Sequence, residues 1–398
     1  MGLKIEKGSK DILEPDNRVS IEKVIKGEWI ESHDGRVFVF RRIYPFGSSH
    51  GNVVFENNLH FNSLSQFWSI EQIESFKIQD FLFLDTETSG LSLGAGSIIF
   101  LFGGCFFTDN GLEVIQIFLE DPSNELLFLA NVDELIQKHK CLISYNGKSF
   151  DIPMLRSRMV LNRLSHGNLN KPHLDLLHFA RGIWKLRLES RKLSDIEKDI
   201  LAFQRSEDEV PGWLVPQLYQ DYLSTGNASP LEGVFYHNEK DIVSLVALFS
   251  HINNLVSDKS SLDSANFFDL MSIGSIYKKT GNLSLSEDFY KIGFDRGNLS
   301  ELNTKILREY AFVMKKLNKW TEAAEIWKIA ANKNDPQSCI ELAKYFEHRE
   351  IDIKTAEIWV DTAIDITNGE AGKEKMKADL LHRKRRLESK ILSIDEKR

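Results

Sequence analysis

Two carboxylates one residue apart, Asp85 and Glu87, follow directly on the apolar run Phe81-Leu82-Phe83-Leu84. Four large apolar residues in a row read as a strand buried on both faces, and strand alternation puts both acids on one side. Like charges at the end of a buried strand are costly unless a cation lies between them, and a divalent metal meets that need. The turn Thr88-Ser89-Gly90 follows, where a loop leaves the strand and functional groups concentrate. The same Asp-x-Glu spacing recurs at Asp195 and Glu197 in a charged, helix-like segment, where it reads as solvated surface.

Two more acidic motifs lie downstream. In Ser144-Tyr145-Asn146-Gly147-Lys148-Ser149-Phe150-Asp151, a strand end, an Asn-Gly turn and a helix start bring Asp151 to a sheet edge within reach of Asp85 and Glu87. Alone, Asp151 is equally a helix N-cap. In Phe235-Tyr236-His237-Asn238-Glu239-Lys240-Asp241, a helix puts His237 and Asp241 on one face while Ile242, Leu245 and Val246 pack inward. Alone, that pair is a surface His–Asp contact.

Several elements must position these groups. After the strand at Phe81, Gly94-Ala95-Gly96 is a turn and Ser97 to Phe107 a second strand; Asn110-Gly111 is a hairpin turn and Leu112 to Phe118 a third strand. Asn124 to Lys138 has helical spacing with Asn124 as N-cap, and Cys141 to Tyr145 is another strand. Three strands in meander, a helix, then a strand alongside the first is the order of an α/β, ribonuclease H-like mixed sheet flanked by helices. From about Ile152 to His251 the pattern is helical, interrupted at Val210-Pro211-Gly212 and at Thr225-Gly226-Asn227. Upstream, residues 1–22 form a polar lead and 23–78 a small β appendage, with His33-Asp34-Gly35 as its turn and a break at Ile43 to Gly47. The sheet domain occupies 79–256. Residues 262–390 are helical throughout, and Ala324, Trp327 and Ala331 recur as Ala356, Trp359 and Ala363, with a weaker copy at Glu287, Tyr290 and Phe294. This spacing resembles degenerate tetratricopeptide repeats, with a generic helical bundle as the alternative.

Taken in order, Asp85-x-Glu87, Tyr145-Asn146-x-x-x-Phe150-Asp151 and an imidazole four before Asp241 resemble the three-motif signature of the DEDD exonuclease superfamily. More closely, Asp85 to His251 is similar to the YprB-like ribonuclease H-like proteins, and helical repeats suit that family. The resemblance implies two Mg2+ or Mn2+ ions held by Asp85, Glu87, Asp151 and Asp241, and hydrolysis of DNA or RNA phosphodiesters in the 3′ to 5′ direction. Two ions ~3.5–4 Å apart activate water and neutralise the leaving oxygen, which takes hard oxygen ligands. The better-known branches place Tyr four residues before the last Asp or His five before it; here His237 takes the Tyr spacing and Tyr236 sits five before. His237 is assigned as the group that orients or deprotonates water, with Tyr236 as the alternative. Thr88 and Asn146 are implied contacts to the terminal nucleotide, joined by Tyr145, while Lys148 and Arg156 are candidate phosphate contacts. Asp175 reads as a structural partner. The rival functions are a nucleic-acid-binding adaptor without catalysis and a structure-specific endonuclease on the same fold. The helical repeats would recruit a protein partner.

Composition agrees with this class. At 398 residues and 42% hydrophobic, the chain can bury a sizeable core. Cys105, Cys141 and Cys339 are widely spaced in apolar surroundings, as core thiols of a reducing cytoplasm are. The N-terminus lacks a signal-peptide core, and the longest apolar run, Ile98 to Phe107, is far short of the ~20 residues that span a bilayer, so no membrane association is expected. A net charge of −8 excludes a protein coated in polyanion but not a nuclease, whose contact surface is local. Basic residues cluster at Arg156, Arg158 and Arg163, at Lys185 to Lys192, and at Arg383 to Arg386, where solvated charge and phosphate binding are both open.

Overall fold

Seven strands form one sheet in the computed structural model, which describes residues 18–33, 35–57, 75–90, 96–206, 210–257, 262, 265–368 and 372–395. Residues 1–17 of the expected lead, Asp34 of the first turn, and Gly94 and Ala95 of the second lie outside the described residues. The strands are β1 (Gly27–Ser32), β2 (Gly35–Pro45), β3 (Phe81–Thr88), β4 (Ile99–Thr108), β5 (Gly111–Phe118), β6 (Cys141–Ser144) and β7 (His173–Asp175). Their order in space is β1-β2-β5-β4-β3-β6-β7, parallel only where β6 joins β3 and β7 joins β6.

The apolar run makes β3 an interior strand, and Phe81, Leu82, Phe83 and Leu84 are each 0% exposed. Antiparallel β4 and β5 complete the meander around the Asn110-Gly111 turn. Gly111 has φ +141, and a Cβ there would lie 2.2 Å from the carbonyl oxygen of Tyr44, so no other residue fits. The β appendage expected over 23–78 is continuous with this sheet where it is described: β2 runs on through the expected break to Pro45, and its residues Phe38–Pro45 pair with β5. The helical reading of 152–251 also needs correcting, because His173–Asp175 forms the edge strand β7, whose Leu174 is buried beside Ile143 of β6. Three residues are too few to show a period of two.

The helices that bear on the site are α1 (Glu125–Gln137), α2 (Asp151–Leu161), α3 (Leu193–Asp199), α4 (Val215–Thr225) and α5 (Leu231–Ser257). The 27-residue α5 lies across β3, with the Phe249 ring 5.4 Å from those of Phe81 and Phe83. Tyr219 of α4 stacks on Phe100 of β4 at 4.1 Å and donates its hydroxyl to the Leu119 carbonyl, so the aromatic is buried with its polar end satisfied. Asn124 precedes α1 but does not cap it with its side chain; Asp121 instead accepts from the Ser123 N–H in the turn before.

A second unit comprises Arg181–Glu189 and the described residues from Leu262 on. Its helices are α6 (Phe267–Lys279), α7 (Leu283–Phe294), α8 (Thr304–Lys316), α9 (Trp320–Ala331), α10 (Pro336–Tyr345), α11 (Ile353–Thr367) and α12 (Glu374–Asp395). Caps start most of them: Asn266, Asn282, Asn303, Asp335 and Asp352 each accept a backbone N–H of the first turn. The recurring residues fall on α7, α9 and α11, and Ala324, Trp327, Ala331, Ala356 and Ala363 are all buried in one core. Of the basic run, Arg383 and Arg386 are spent on buried Glu347, which also takes Lys390. Among the described residues no helix is long and apolar enough to cross a membrane.

One glycine ties the sheet to α5. Gly103 of β4 lies between Asp85 and Gln116 in the register, and a Cβ there would come within 2.1 Å of Asn238 Oδ1. Gly103→Ala is therefore expected to lower stability by ~1–3 kcal/mol, the usual cost of overpacking, in urea unfolding followed by circular dichroism. A midpoint unchanged from wild type would show that α5 is not held so closely.

Candidate active site

Asp85 and Glu87 sit half-buried on one side of β3, alternating with buried Thr86 and Thr88. Asp151 is the first residue of α2 and is buried, yet it makes no capping bond; its Oδ1 accepts the Thr86 hydroxyl at 2.5 Å. The N-cap reading of Asp151 is thereby set aside. Behind Asp85, Asn238 Nδ2 donates to Oδ2 at 3.0 Å, and Asn238 Oδ1 in turn accepts from Gln116 Nε2 at 2.9 Å. Gln116 and Asn238 are both fully buried, so this chain of amides holds Asp85 from the interior of the sheet.

On α5, His237 and Asp241 share a face, with Nε2 3.7 Å from Oδ2. Arg205 donates to Asp241 Oδ1 and lies 3.3 Å from His237 Nδ1. It is itself gripped in fork geometry by Glu197, at 2.5 and 2.7 Å, and Glu197 accepts the Ser244 hydroxyl at 2.5 Å. Glu197 is fully buried, which corrects its reading as solvated surface. The signal was present: Leu193, Ile196 and Ile200 mark the apolar stripe of α3, and Glu197 falls within it. Tyr236 faces elsewhere, lining a pocket of about 310 Å³ with Phe40, Arg42, Gln116 and Glu239, under the Lys240 ammonium 5.0 Å from its ring centroid.

The carboxylates feel one another. Burial, and then Asp241, Asp151 and Glu87 in turn, push Asp85 well above the usual carboxylate range, against the Asn238 hydrogen bond. Burial pushes Glu87 up to about 8; His237 opposes the rise while Asp241 and Asp151 add to it. Burial raises Asp151 to about 6, with the Thr86 hydroxyl working the other way. Three segments far apart in sequence thus bring four acids into one electrostatic neighbourhood. Among the described residues, however, no three His, Cys, Asp or Glu side chains converge as ligands of an ion, for Asp85, Asp151 and Asp241 are each drawn to a protein donor of their own. The donor set is all oxygen apart from one imidazole, the chemistry a hard divalent cation takes.

The expected substrate contacts separate into two groups. Asn146 is exposed in the left-handed region, φ +65, and its loop is held by Asp175, which accepts from the N–H groups of Asn146 and Lys148 at 2.8 and 3.1 Å. Asp175 is thus the structural partner it was read as. Lys148 is exposed in that loop, and the Tyr145 hydroxyl donates to the Arg191 carbonyl at 2.5 Å. Thr88 bonds the Gly90 carbonyl at 2.8 Å. Arg156 is engaged by Asn170 at 3.0 Å, and Arg158 by Glu125 in a pair at 2.6 Å whose side chains are only 11% exposed. Asn238, Gln116, Arg205 and Glu197 were missed, because each acts through a partner remote in sequence.

A sheet of this order, carrying acids at the end of an interior strand and on the helix laid across it, defines a ribonuclease H-like domain, and the sequence matches the RNase H superfamily over residues 82–253. The protein YprB of Bacillus subtilis (strain 168) is 33% identical over 290 residues, covering 69% of this chain and 67% of that one. The chain belongs to the YprB-like proteins of the RNase H superfamily. Among solved structures, the family B DNA polymerase of Pyrobaculum calidifontis aligns over 58% of this chain and 28% of its own at 13% identity and TM-score 0.35. E. coli exonuclease I in complex with a dA16 oligonucleotide aligns over 48% of this chain and 45% of its own at 16% identity and TM-score 0.31. The chain therefore spans less than half of either.

The raised acids make a pH prediction. Between its ordinary value and about 8, folded Glu87 keeps a proton that the unfolded chain releases, and Asp151 does the same up to about 6. The folded state binds more protons across that window, so stability falls as pH rises. The melting temperature of chelator-treated protein is expected to drop from about pH 5 to pH 8 and level off above, with a shallower drop in Glu87→Gln. Equal slopes for the two proteins would rule out Glu87 as the source.

Proposed function

We propose that this protein is a metal-dependent nuclease that cuts phosphodiester bonds of DNA or RNA from an end, in the 3′ to 5′ direction. The observation that carries the reading is that Asp85, Glu87, Asp151 and Asp241 share one neighbourhood, where burial and then mutual repulsion are costly to their charged forms unless cationic charge is delivered among them. On this reading those four hold two Mg2+ or Mn2+ ions, which when bound activate water and neutralise the charge growing on the phosphate.

The remaining work falls to the chain's own groups. Asn238 keeps Asp85 oriented by occupying its Oδ2, and Thr86 does the same for Asp151 Oδ1. His237 takes the proton of the attacking water. For Nε2 to accept it, the Nδ1 nitrogen must carry the ring's own hydrogen, so the acting tautomer is the one in which Nδ1 does not accept from Arg205. Tyr236 is the weaker candidate because it lines the pocket by Arg42 and Glu239 rather than facing Asp241. Asn146, Lys148, Tyr145 and Thr88 are read as meeting the strand end, and Arg156 as reaching a phosphate once released from Asn170. We read the helical unit as a tetratricopeptide-like platform for a protein partner.

The test is a panel of labelled single- and double-stranded DNA and RNA, blocked at either end or circular, with manganese. Release of nucleotides from free 3′ ends is expected, abolished in Asp85→Ala and in Asp151→Asn, and slowed ~100- to 10,000-fold in His237→Ala. Calorimetry should show manganese binding lost in Asp85→Ala. Binding of oligonucleotides with no cleavage and no uptake of metal would make the protein an adaptor instead, and cleavage of circles would make it an endonuclease.

A further inference from the structure

We infer that Trp213 is a stacking platform for a nucleobase of the strand being processed. Trp213 is 73% exposed, the most exposed large apolar side chain among the described residues. A lone exposed apolar residue is ordinary on any surface, so its exposure alone assigns nothing. Its place does.

The loop Val210–Leu214 is laid along α5 by two close approaches. Val210 Cγ2 fills the space that a Cβ on Gly233 would need, at 2.4 Å, and the position of a Cβ on Gly212 lies 3.6 Å from His237 Nε2. Gly233 and His237 are four apart, hence on one face of α5, and that is also the face of Asp241. The Leu214 N–H then closes a turn onto the Pro211 carbonyl at 2.8 Å, and Val215, fully buried, starts α4. Both ends of the loop are anchored, and between them the indole turns to solvent. Its backbone is one residue, ~3.8 Å between Cα atoms, from Gly212, where an added Cβ would lie 3.6 Å from His237 Nε2.

The chemistry of that position favours a base over a protein. Pro211 and Gly212 beside it are exposed but small, and α4 next presents an exposed large apolar side chain only at Leu223, so among the described residues of this stretch the indole stands alone rather than at the centre of an apolar patch. A single rigid aromatic face next to the base that would deprotonate the attacking water matches what single strands require, since every base of the strand has a π-face and stacking tolerates any sequence. The occupant is thus a base of single-stranded DNA or RNA next to the one being cut. The inference rests on the nuclease reading above and sharpens how such an enzyme grips its strand.

The experiment compares cleavage, and binding by fluorescence anisotropy, of an intact single-stranded oligonucleotide and one carrying abasic sites at its two terminal positions. Wild type should favour the intact strand by about 5- to 150-fold in KM, with kcat less affected; Trp213→Ala should erase that preference and Trp213→Phe should keep most of it. A 2-aminopurine placed near the end should be quenched by wild type and not by Trp213→Ala. If wild type cleaves but Trp213→Ala discriminates just as well, the stacking inference alone is overturned. If wild type neither cleaves nor binds either strand, the nuclease reading fails and this inference fails with it.

Discussion

Carboxylates in a poorly hydrated place repel one another, and the sheet unit is organised around tolerating that repulsion. Asp85 and Glu87 are spaced by the pleat of β3, and the strand is held by neighbours on both edges, so neither acid can move apart from the other. Asp151 enters from α2 and Asp241 from α5. Bringing four acids together is affordable only because the core beneath them is extensive and rigid; Phe81 to Leu84, Phe249 and the stacked Phe100 and Tyr219 belong to it.

What the chain offers these acids is one donor each for three of them. Asn238, Thr86 and Arg205 satisfy Asp85, Asp151 and Asp241, and each donor comes from a different direction: the helix across the sheet, the strand itself and the segment after α3. Two of the three are neutral, so they orient without cancelling charge. Arg205 alone carries charge, and buried Glu197 grips it directly while Ser244, backed by His50, steadies Glu197. Arg205 thereby reaches a carboxylate and the imidazole at once, while Glu87 keeps a pKa pushed up to about 8.

Some of this was legible before any fold was known. The wholly apolar run ahead of Asp85 can only be an interior strand, and Asn110-Gly111 can only be a tight turn between strands. The first two acidic motifs pointed to one neighbourhood because Asp85 and Glu87 stood near a strand end and Asp151 at a helix start, with the helical face of His237 and Asp241 as the third part. Three readings went astray for physical reasons. Glu197 looked solvated because its neighbours in sequence are charged, whereas its partner Arg205 lies eight residues on, across a break in the helix. The hairpin before residue 57 looked detached because sheet pairing to β5 is a contact between strands more than 65 residues apart. The edge strand β7 was too short to carry a pattern.

By itself, then, the sequence determined the types of group available, the alternation that puts Asp85 beside Glu87, and the helical period that puts His237 beside Asp241. These are local consequences of backbone geometry and need no partner. Only the tertiary structure decided which donor each acid receives, that Gln116 backs Asn238 behind Asp85, and that the loop carrying exposed Trp213 is laid along α5 near His237. Such pairings depend on how strands and helices far apart in the chain are packed, and no spacing along the chain encodes them.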